Sequence, residues 1–168
     1  MKLPTVADVL ARRLRGKAAV VGIGNRGCAD DGAGLSVVEK LVASPSLKAI
    51  DAGDAPELSL DRITEDSPDV VVFVDAADLG ADPGSVAVIE TEQLNSGWGN
   101  GHQPPLSAMM TYVARSCGAD TFLLGIQPED LGPGHSMSRS VSRTVAILAG
   151  ILNGIAVQEE NSCEVETL

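Results

Sequence analysis

A glycine-dense turn after an apolar run is the feature that most constrains how this chain can fold. Residues 18–23 are apolar and mostly small or β-branched. The glycines at positions 22, 24 and 27 then precede the adjacent carboxylates Asp30 and Asp31. Apolar residues at helical spacing follow, at positions 35, 38, 41 and 42. This order predicts a strand, a loop and a helix. Such a loop lies at the carboxyl end of its strand, where open α/β sheets bind their ligands.

Further strand patterns predict a single α/β domain. The chain has 168 residues, of which 44% are hydrophobic and only 2% aromatic, and this suits a core of Val, Leu, Ile and Ala between helices and a buried sheet. Strands are predicted at residues 18–23, 49–51, 70–74, 85–89 and 121–126. The 85–89 strand follows its predecessor too closely for a helical crossover, which predicts an antiparallel edge strand. We expect a twisted five-stranded, mostly parallel sheet with one antiparallel edge strand, sandwiched by helices.

Helical periodicity fills most of the remaining chain. Helices are predicted for residues 5–14, 31–43, 105–117 and 141–155, and another begins at Pro56. Residues 90–104 are predicted to form a long loop that contains Trp98 and His102. The sequence thus predicts one domain over residues 1–156, followed by an acidic, disordered tail over residues 157–168.

Charge and cysteine content exclude several functional classes. The formal net charge of −11 repels nucleic acids and anionic membranes, so neither is expected as a partner. The apolar runs are shorter than the roughly 20 residues of a spanning helix, and the amino terminus lacks the order of a signal peptide. Three widely spaced cysteines indicate reduced thiols and no disulfide framework. A cytoplasmic protein is the expectation.

The glycines also match a dinucleotide-binding fingerprint. Gly22, Gly24 and Gly27 have its spacing, and Asp51 follows the second strand, where an acid that binds ribose is expected. However, Asp30 and Asp31 would face the pyrophosphate. Two like charges at about 4 Å repel by roughly 1 kcal/mol in water and by more in a drier cleft. Nucleotide binding is therefore the less favoured alternative.

The same carboxylates suit a cation. Asp31 near a helix start, Asp75 after the central strand and His102 in the long loop can converge at one sheet edge. Two carboxylates and an imidazole form a site that fits nickel, zinc or a similar divalent ion. Each residue also has a plainer interpretation: a helix cap for Asp31, an Asx turn for Asp75 and an ordinary surface histidine for His102.

An ordered set of motifs resembles the nickel-iron hydrogenase maturation endopeptidases. Within that family the chain is most similar to the branch that processes the large subunit of formate-hydrogenlyase-type hydrogenases. The similarity extends over about residues 18–152, although Ala52 and Gly101 depart from the family pattern. The motifs are Gly22 to Asn25, Asp30 to Gly34, Ile50 to Glu57, Val74 to Asp78, Pro83-Gly84, His102 to Leu106 and Leu124 to Pro128.

The resemblance implies a cytosolic peptidase, aspartic-type by family convention. It would remove the carboxy-terminal extension of a hydrogenase large-subunit precursor after nickel insertion. The implied catalytic and metal-contacting residues are Asp31, Asp75 and His102. Nickel would be supplied by the substrate, and zinc or cadmium could replace it in vitro. We expect a monomer whose substrate contacts are Gly24, Asn25, Asp30, Gly53 and Asp54. A non-catalytic adaptor for hydrogenase assembly is a further alternative.

Overall fold

Strands and helices follow one another along the chain, and the third strand is followed directly by the fourth. The computed structural model describes residues 4–94 and 105–166, with side chains up to residue 162. The elements are α1 (Val6–Arg13), β1 (Ala18–Ile23), a 3-10 turn (Ala29–Gly32), α2 (Ala33–Glu39), β2 (Leu47–Gly53), a second 3-10 turn (Pro56–Ser59), α3 (Leu60–Thr64), β3 (Val70–Ala76), β4 (Val86–Glu90), α4 (Thr91–Leu94), α5 (Leu106–Cys117), β5 (Asp120–Ile126) and α6 (Arg139–Glu166).

The five strands form one sheet in the order β2-β1-β3-β5-β4. Strand β1 is parallel to β2 and β3, and β3 is parallel to β5. Strand β4 lies at one edge and is antiparallel to β5. The predicted fold class is therefore confirmed, including the antiparallel edge strand. The register places Asp75 beside Gly125, so the loops after β1, β2, β3 and β5 meet at one edge of the sheet.

Alternate residues of the parallel strands pack on opposite faces of the sheet. On one face Val20, Val72 and Phe122 pack with apolar residues of α1, α2 and α6. On the other face Val21 and Phe73 pack with α3 and α5. Because both faces are covered, the strands are apolar throughout, as expected for a parallel sheet.

Two glycines let α2 lie directly on the sheet. An added Cβ at Gly34 would lie 2.0 Å from the carbonyl oxygen of Val74 and 2.5 Å from that of Ile23. An added Cβ at Gly22 would lie 2.4 Å from the carbonyl oxygen of Gly34. Backbone therefore packs against backbone at this point, which gives part of the glycine pattern a purely structural cause.

Two local predictions were wrong in extent. Helix α2 covers Ala33–Glu39 and not residues 31–43. Residues 29–32 form the 3-10 turn before it, and at its end the N–H groups of Lys40 and Leu41 donate to carbonyl oxygens only three residues back, which tightens and ends the helix. Residues 91–94, predicted as loop, form the short helix α4. The backbone N–H of Glu90 donates to Gln93 Oε1 at 2.7 Å, a local hydrogen bond that favours this turn.

The last helix continues to Glu166, into the segment 157–168 for which a disordered tail was predicted. Contacts with the start of the sheet explain the difference. Glu159 Oε1 pairs with Arg15 Nη1 at 3.0 Å, and Glu159 Oε2 accepts the backbone N–H of Gly16 at 3.3 Å. Ser46 Oγ donates to the carbonyl oxygen of Ala156 at 3.3 Å. These polar contacts hold a segment that has few apolar residues.

The described part of the chain contains one helix that is long and apolar enough to cross a membrane by length and composition. It covers Arg139–Ser162, with a mean hydropathy of 1.6. A core helix meets the same criterion, and here Val141, Val145, Leu148 and Leu152 are buried in the core against the sheet. Because 33% of the apolar stretch is buried, packing against the sheet accounts for part of its apolar composition.

Gly34→Ala should destabilise the protein by about 3 kcal/mol, because the new methyl group overlaps two strand carbonyls. Gly150→Ala is the matched control, since this exposed glycine of α6 has space around it and alanine favours a helix by about 0.5–1 kcal/mol. Urea unfolding monitored by circular dichroism measures both. Equal stability of the two variants would contradict the close packing of α2.

Candidate functional site

The loop after β1 closes around the carboxylate of Asp31. Asp31 Oδ2 accepts the backbone N–H of Asn25 at 3.0 Å, and Asn25 Oδ1 accepts the N–H of Gly27 at 2.8 Å. Gly24 has a φ of +136°, and an added Cβ there would lie 1.8 Å from the carbonyl oxygen of Asp31. The Gly24 N–H donates to the carbonyl oxygen of Gly53 at 2.9 Å, which joins this loop to the end of β2.

Asp31 and Asp75 form a pair of partly buried carboxylates at the end of the central strands. Burial and, to a lesser extent, the charge of Asp31 together raise the pKa of Asp75 to about 7, although the Ala76 amide opposes this rise. Burial also raises the pKa of Asp31, with the Asn25 amide opposing this and the charge of Asp54 adding to it. The site disfavours a second negative charge, and a cation would relieve that repulsion.

The predicted third ligand, His102, lies outside the described residues. Within residues 4–94 and 105–166, no three His, Cys, Asp or Glu side chains lie close enough together to hold a metal ion. The described part of the site is therefore the pair Asp31 and Asp75. Carboxylate oxygens suit a divalent cation, and an imidazole would complete a borderline donor set.

Asp51, the acid expected to bind a ribose, already accepts hydrogen bonds within the protein. Asp51 Oδ2 accepts a hydrogen bond from Arg26 Nη2 at 2.6 Å, and Asp51 Oδ1 accepts the N–H of Gly53 at 3.0 Å. In addition, the backbone N–H of Asn25, which could have bound an anion, donates to the carboxylate of Asp31. These contacts weigh against the dinucleotide alternative.

Asp30, for which a substrate contact is predicted, forms its hydrogen bonds within the protein. Its side chain is fully buried: Oδ1 accepts the N–H of Ser138 at 2.7 Å, and Oδ2 accepts those of Glu129 at 2.8 Å and Asp130 at 3.1 Å. Burial raises the pKa of Asp30, but these amide bonds outweigh it and hold the pKa below its usual range. Asp30 therefore joins the glycine loop to the loop between β5 and α6.

The other predicted substrate contacts lie at the same edge. Gly53 has a φ of +61°, and an added Cβ there would meet no atom of the described residues within 4 Å. Asn25 and Asp54 are exposed. Gly24 is buried, and because glycine has no side chain, only its backbone could contact a substrate. Their contact with substrate stays a prediction.

Gln127 is a residue whose role the sequence patterns did not reveal. It is 9% exposed, and its Oε1 accepts the N–H groups of Leu79 at 2.6 Å and Ala81 at 3.3 Å. The side chain thus fixes the segment that follows Asp75. In the sequence, it is a polar residue after an apolar strand and a member of the Leu124 to Pro128 motif, and neither signal indicates its contact with the segment after Asp75.

The raised pKa of Asp75 predicts a pH-dependent stability. Because its folded pKa of about 7 exceeds the ordinary value of about 3.9, the contribution is present below pH 4 and is lost as the pH rises through 7. Asp75→Asn mimics the protonated acid. Relative to this variant, the native protein should lose at most about 4 kcal/mol of stability between pH 4 and pH 8 in urea titrations. A pH-independent difference between the two proteins would contradict the raised pKa.

Asp30→Ala should lower the free energy of unfolding by about 3 kcal/mol or more, since it leaves buried amides without an acceptor. Asp82→Ala, at an exposed turn, is the control and should change stability by less than about 0.5 kcal/mol. Thermal and urea unfolding measure both variants. If Asp30→Ala behaved like the control, the three amide bonds would not contribute to stability.

Comparison with known proteins gives the chain a family. A model of the HycI hydrogenase maturation proteases matches residues 35–154. The hydrogenase 3 maturation protease of Escherichia coli K12 is 31% identical over 150 residues, which cover 82% of this chain and 96% of that protein. A putative hydrogenase maturation protease of Methanocaldococcus jannaschii is 30% identical, over 67% of this chain and 73% of that protein.

Solved structures agree with this result. The crystal structure of the [NiFe] hydrogenase maturation protease HycI from Thermococcus kodakarensis superimposes with a TM-score of 0.82 at 28% identity, and covers 88% of this chain and 98% of its own. The E. coli endopeptidase HybD, at 21% identity and a TM-score of 0.66, shares the fold. The loops that surround Asp31 and Asp75 thus belong to a peptidase that processes hydrogenase precursors, and the chain is a member of the hydrogenase maturation protease family.

Proposed function

We propose that this protein removes the carboxy-terminal extension of a nickel-iron hydrogenase large-subunit precursor after nickel insertion, and that it uses the substrate's nickel for recognition. The observation that carries the proposal is the pair Asp31 and Asp75, whose pKa values are both raised at the carboxyl edge of the sheet. A divalent ion carried by the precursor would offset their repulsion. A precursor without nickel would leave that repulsion in place.

The chemistry follows from this electrostatic fit. Nickel bound to the precursor would be held by Asp31, Asp75 and His102, and would act as a template that orients the scissile peptide and polarises its carbonyl group. Water adds to that carbonyl carbon, the C–N bond breaks, and the leaving amine takes up a proton. Gly24, Asn25, Gly53 and Asp54 are the proposed contacts for the peptide.

The aspartic-type assignment of the family convention has support of its own. A carboxyl group whose pKa is raised to about 7 is largely protonated at slightly acid pH, and the charge of Asp31 is one cause of that rise, so the pair favours holding one proton between its two carboxyl groups. Two carboxyl groups in different protonation states can serve as general acid and general base. Cleavage of a precursor without metal would favour this mechanism over a metal-assisted one.

The location and the metal preference are part of the same proposal. Cys28 and Cys117 are free thiols in the described part of the chain, and the chain is strongly acidic, which suits a monomer in the cytoplasm. Zinc or cadmium should occupy the carboxylate and imidazole site in vitro, because both ions accept these ligands.

Asp31→Asn, Asp75→Asn and His102→Ala should each lower precursor processing by about 100-fold or more, since each removes a proposed metal contact. The measurement is the intact mass of the nickel-loaded large subunit after co-expression. Asp82→Asn is the control and should process normally. Three variants that all process the precursor at the native rate would contradict the proposed site.

The mass of the precursor distinguishes the adaptor alternative, and the melting temperature of the protein distinguishes the dinucleotide-binding alternative. A non-catalytic adaptor would bind the precursor without any loss of mass from it. For a dinucleotide-binding protein, NAD or NADP would raise the melting temperature in a saturable manner. Either result with the native protein would replace the peptidase proposal.

A further inference from the structure

A second histidine lies on the loop between β5 and α6. His135 Nδ1 is 2.6 Å from Asp130 Oδ2, and Asp130 Oδ1 accepts the N–H of Gly132 at 2.7 Å. An added Cβ at Gly132 would lie 2.7 Å from His135 Nδ1 and 2.9 Å from Asp130 Oδ1, so a larger residue there would displace these two side chains. A carboxylate, a backbone amide and a glycine together orient this imidazole.

The partner on Nδ1 determines what the rest of the ring can do. The Gly132 amide and His135 hold the pKa of Asp130 below its usual range, so its carboxylate is an acceptor and Nδ1 carries the proton. In the neutral ring Nε2 is then a hydrogen-bond acceptor. The His135 side chain is 62% exposed, which leaves the ring accessible to a partner.

The loop that carries His135 is attached to the loop that carries Asp31. The Gly134 N–H donates to the carbonyl oxygen of Gly27 at 2.7 Å, and Cys28 forms an antiparallel bridge with Pro133. The buried Asp30 carboxylate adds its three amide bonds between the same two segments. The loop that carries His135 is therefore fixed at the same end of the sheet as Asp31 and Asp75.

Anchoring of this loop does not require the hydrogen bond between His135 and Asp130. The loop is already held by the buried amide bonds of Asp30, whereas Asp130 and His135 lie at the surface. What the pair adds is a defined ring orientation with one polar atom, Nε2, still available. Histidines that ligate a metal are oriented in the same way, by a carboxylate or carbonyl that accepts the N–H of the other ring nitrogen.

We infer that His135 is a substrate-contacting residue, whose Nε2 accepts a hydrogen bond from an N–H group of the hydrogenase precursor beside the Asp31 and Asp75 site. The inference rests on the proposed function and adds a residue to it. The recognised chemistry is a peptide N–H donor. Asp130 is the positioning residue that fixes the ring.

Two substitutions distinguish contact from support. His135→Asn places an amide near the position of Nδ1, which keeps the bond to Asp130 but removes Nε2. His135→Gln places an amide near the position of Nε2, which keeps the outward group but loses the bond to Asp130. If His135 contacts substrate, Asn should raise the KM for nickel-loaded precursor about 10-fold with little change in kcat, and Gln should stay within about 3-fold of the native KM.

Other results overturn the inference. A normal KM for His135→Asn with a raised KM for His135→Gln would show that the histidine only supports the loop. Native kinetics for both variants would also exclude substrate contact. Asp31→Asn in the same assay keeps the two proposals apart: a loss of processing in that variant alone would retain the peptidase site and reject the role of His135. No processing by the native protein would reject the proposed function itself.

Discussion

The buried carboxylate of Asp30 is the constraint on which the site depends. It joins the short 3-10 turn Ala29–Gly32 to the loop between β5 and α6, and a buried backbone amide without a partner is costly. One carboxylate satisfies three such amides, from Glu129, Asp130 and Ser138. The glycine loop and the loop after β5 therefore hold each other in place, and the position of Asp31 follows from this junction.

Asp30 and Asp31, which are adjacent in the sequence, consequently have pKa values that are shifted in opposite directions. Asp30 is the more buried residue, yet its pKa is lowered because amide donors surround it. Asp31 has one amide donor, which burial and the charge of Asp54 outweigh, so its pKa is raised. The first arrangement stabilises the fold as it stands. In the second, the charge of Asp31 also raises the pKa of Asp75, and a cationic ligand would relieve this repulsion, which is why we propose the pair as the functional part of the site.

The fold was largely predictable because its signals are local and repeated. Apolar runs such as residues 70–74 can only be strands buried on both faces, and the short connection to β4 determined its antiparallel direction. Asp31 and Asp75 were predictable because both follow strands whose carboxyl ends share one edge. The role of Asp30 was not, since its amide partners lie about a hundred residues away in sequence. Gln127 and the helical extension of α6 likewise depend on contacts with distant segments, and His102 lies outside the described residues.

The contact of α6 with the residues just before β1 links the two ends of the described chain. Glu159, in the last turns of α6, accepts the N–H of Gly16, two residues before β1 begins. A shortened or fused carboxyl terminus would thus disturb the entry to β1 as well as the helix itself. Affinity tags and fusion partners for this protein are better placed where they leave residues 156–162 in their native contacts.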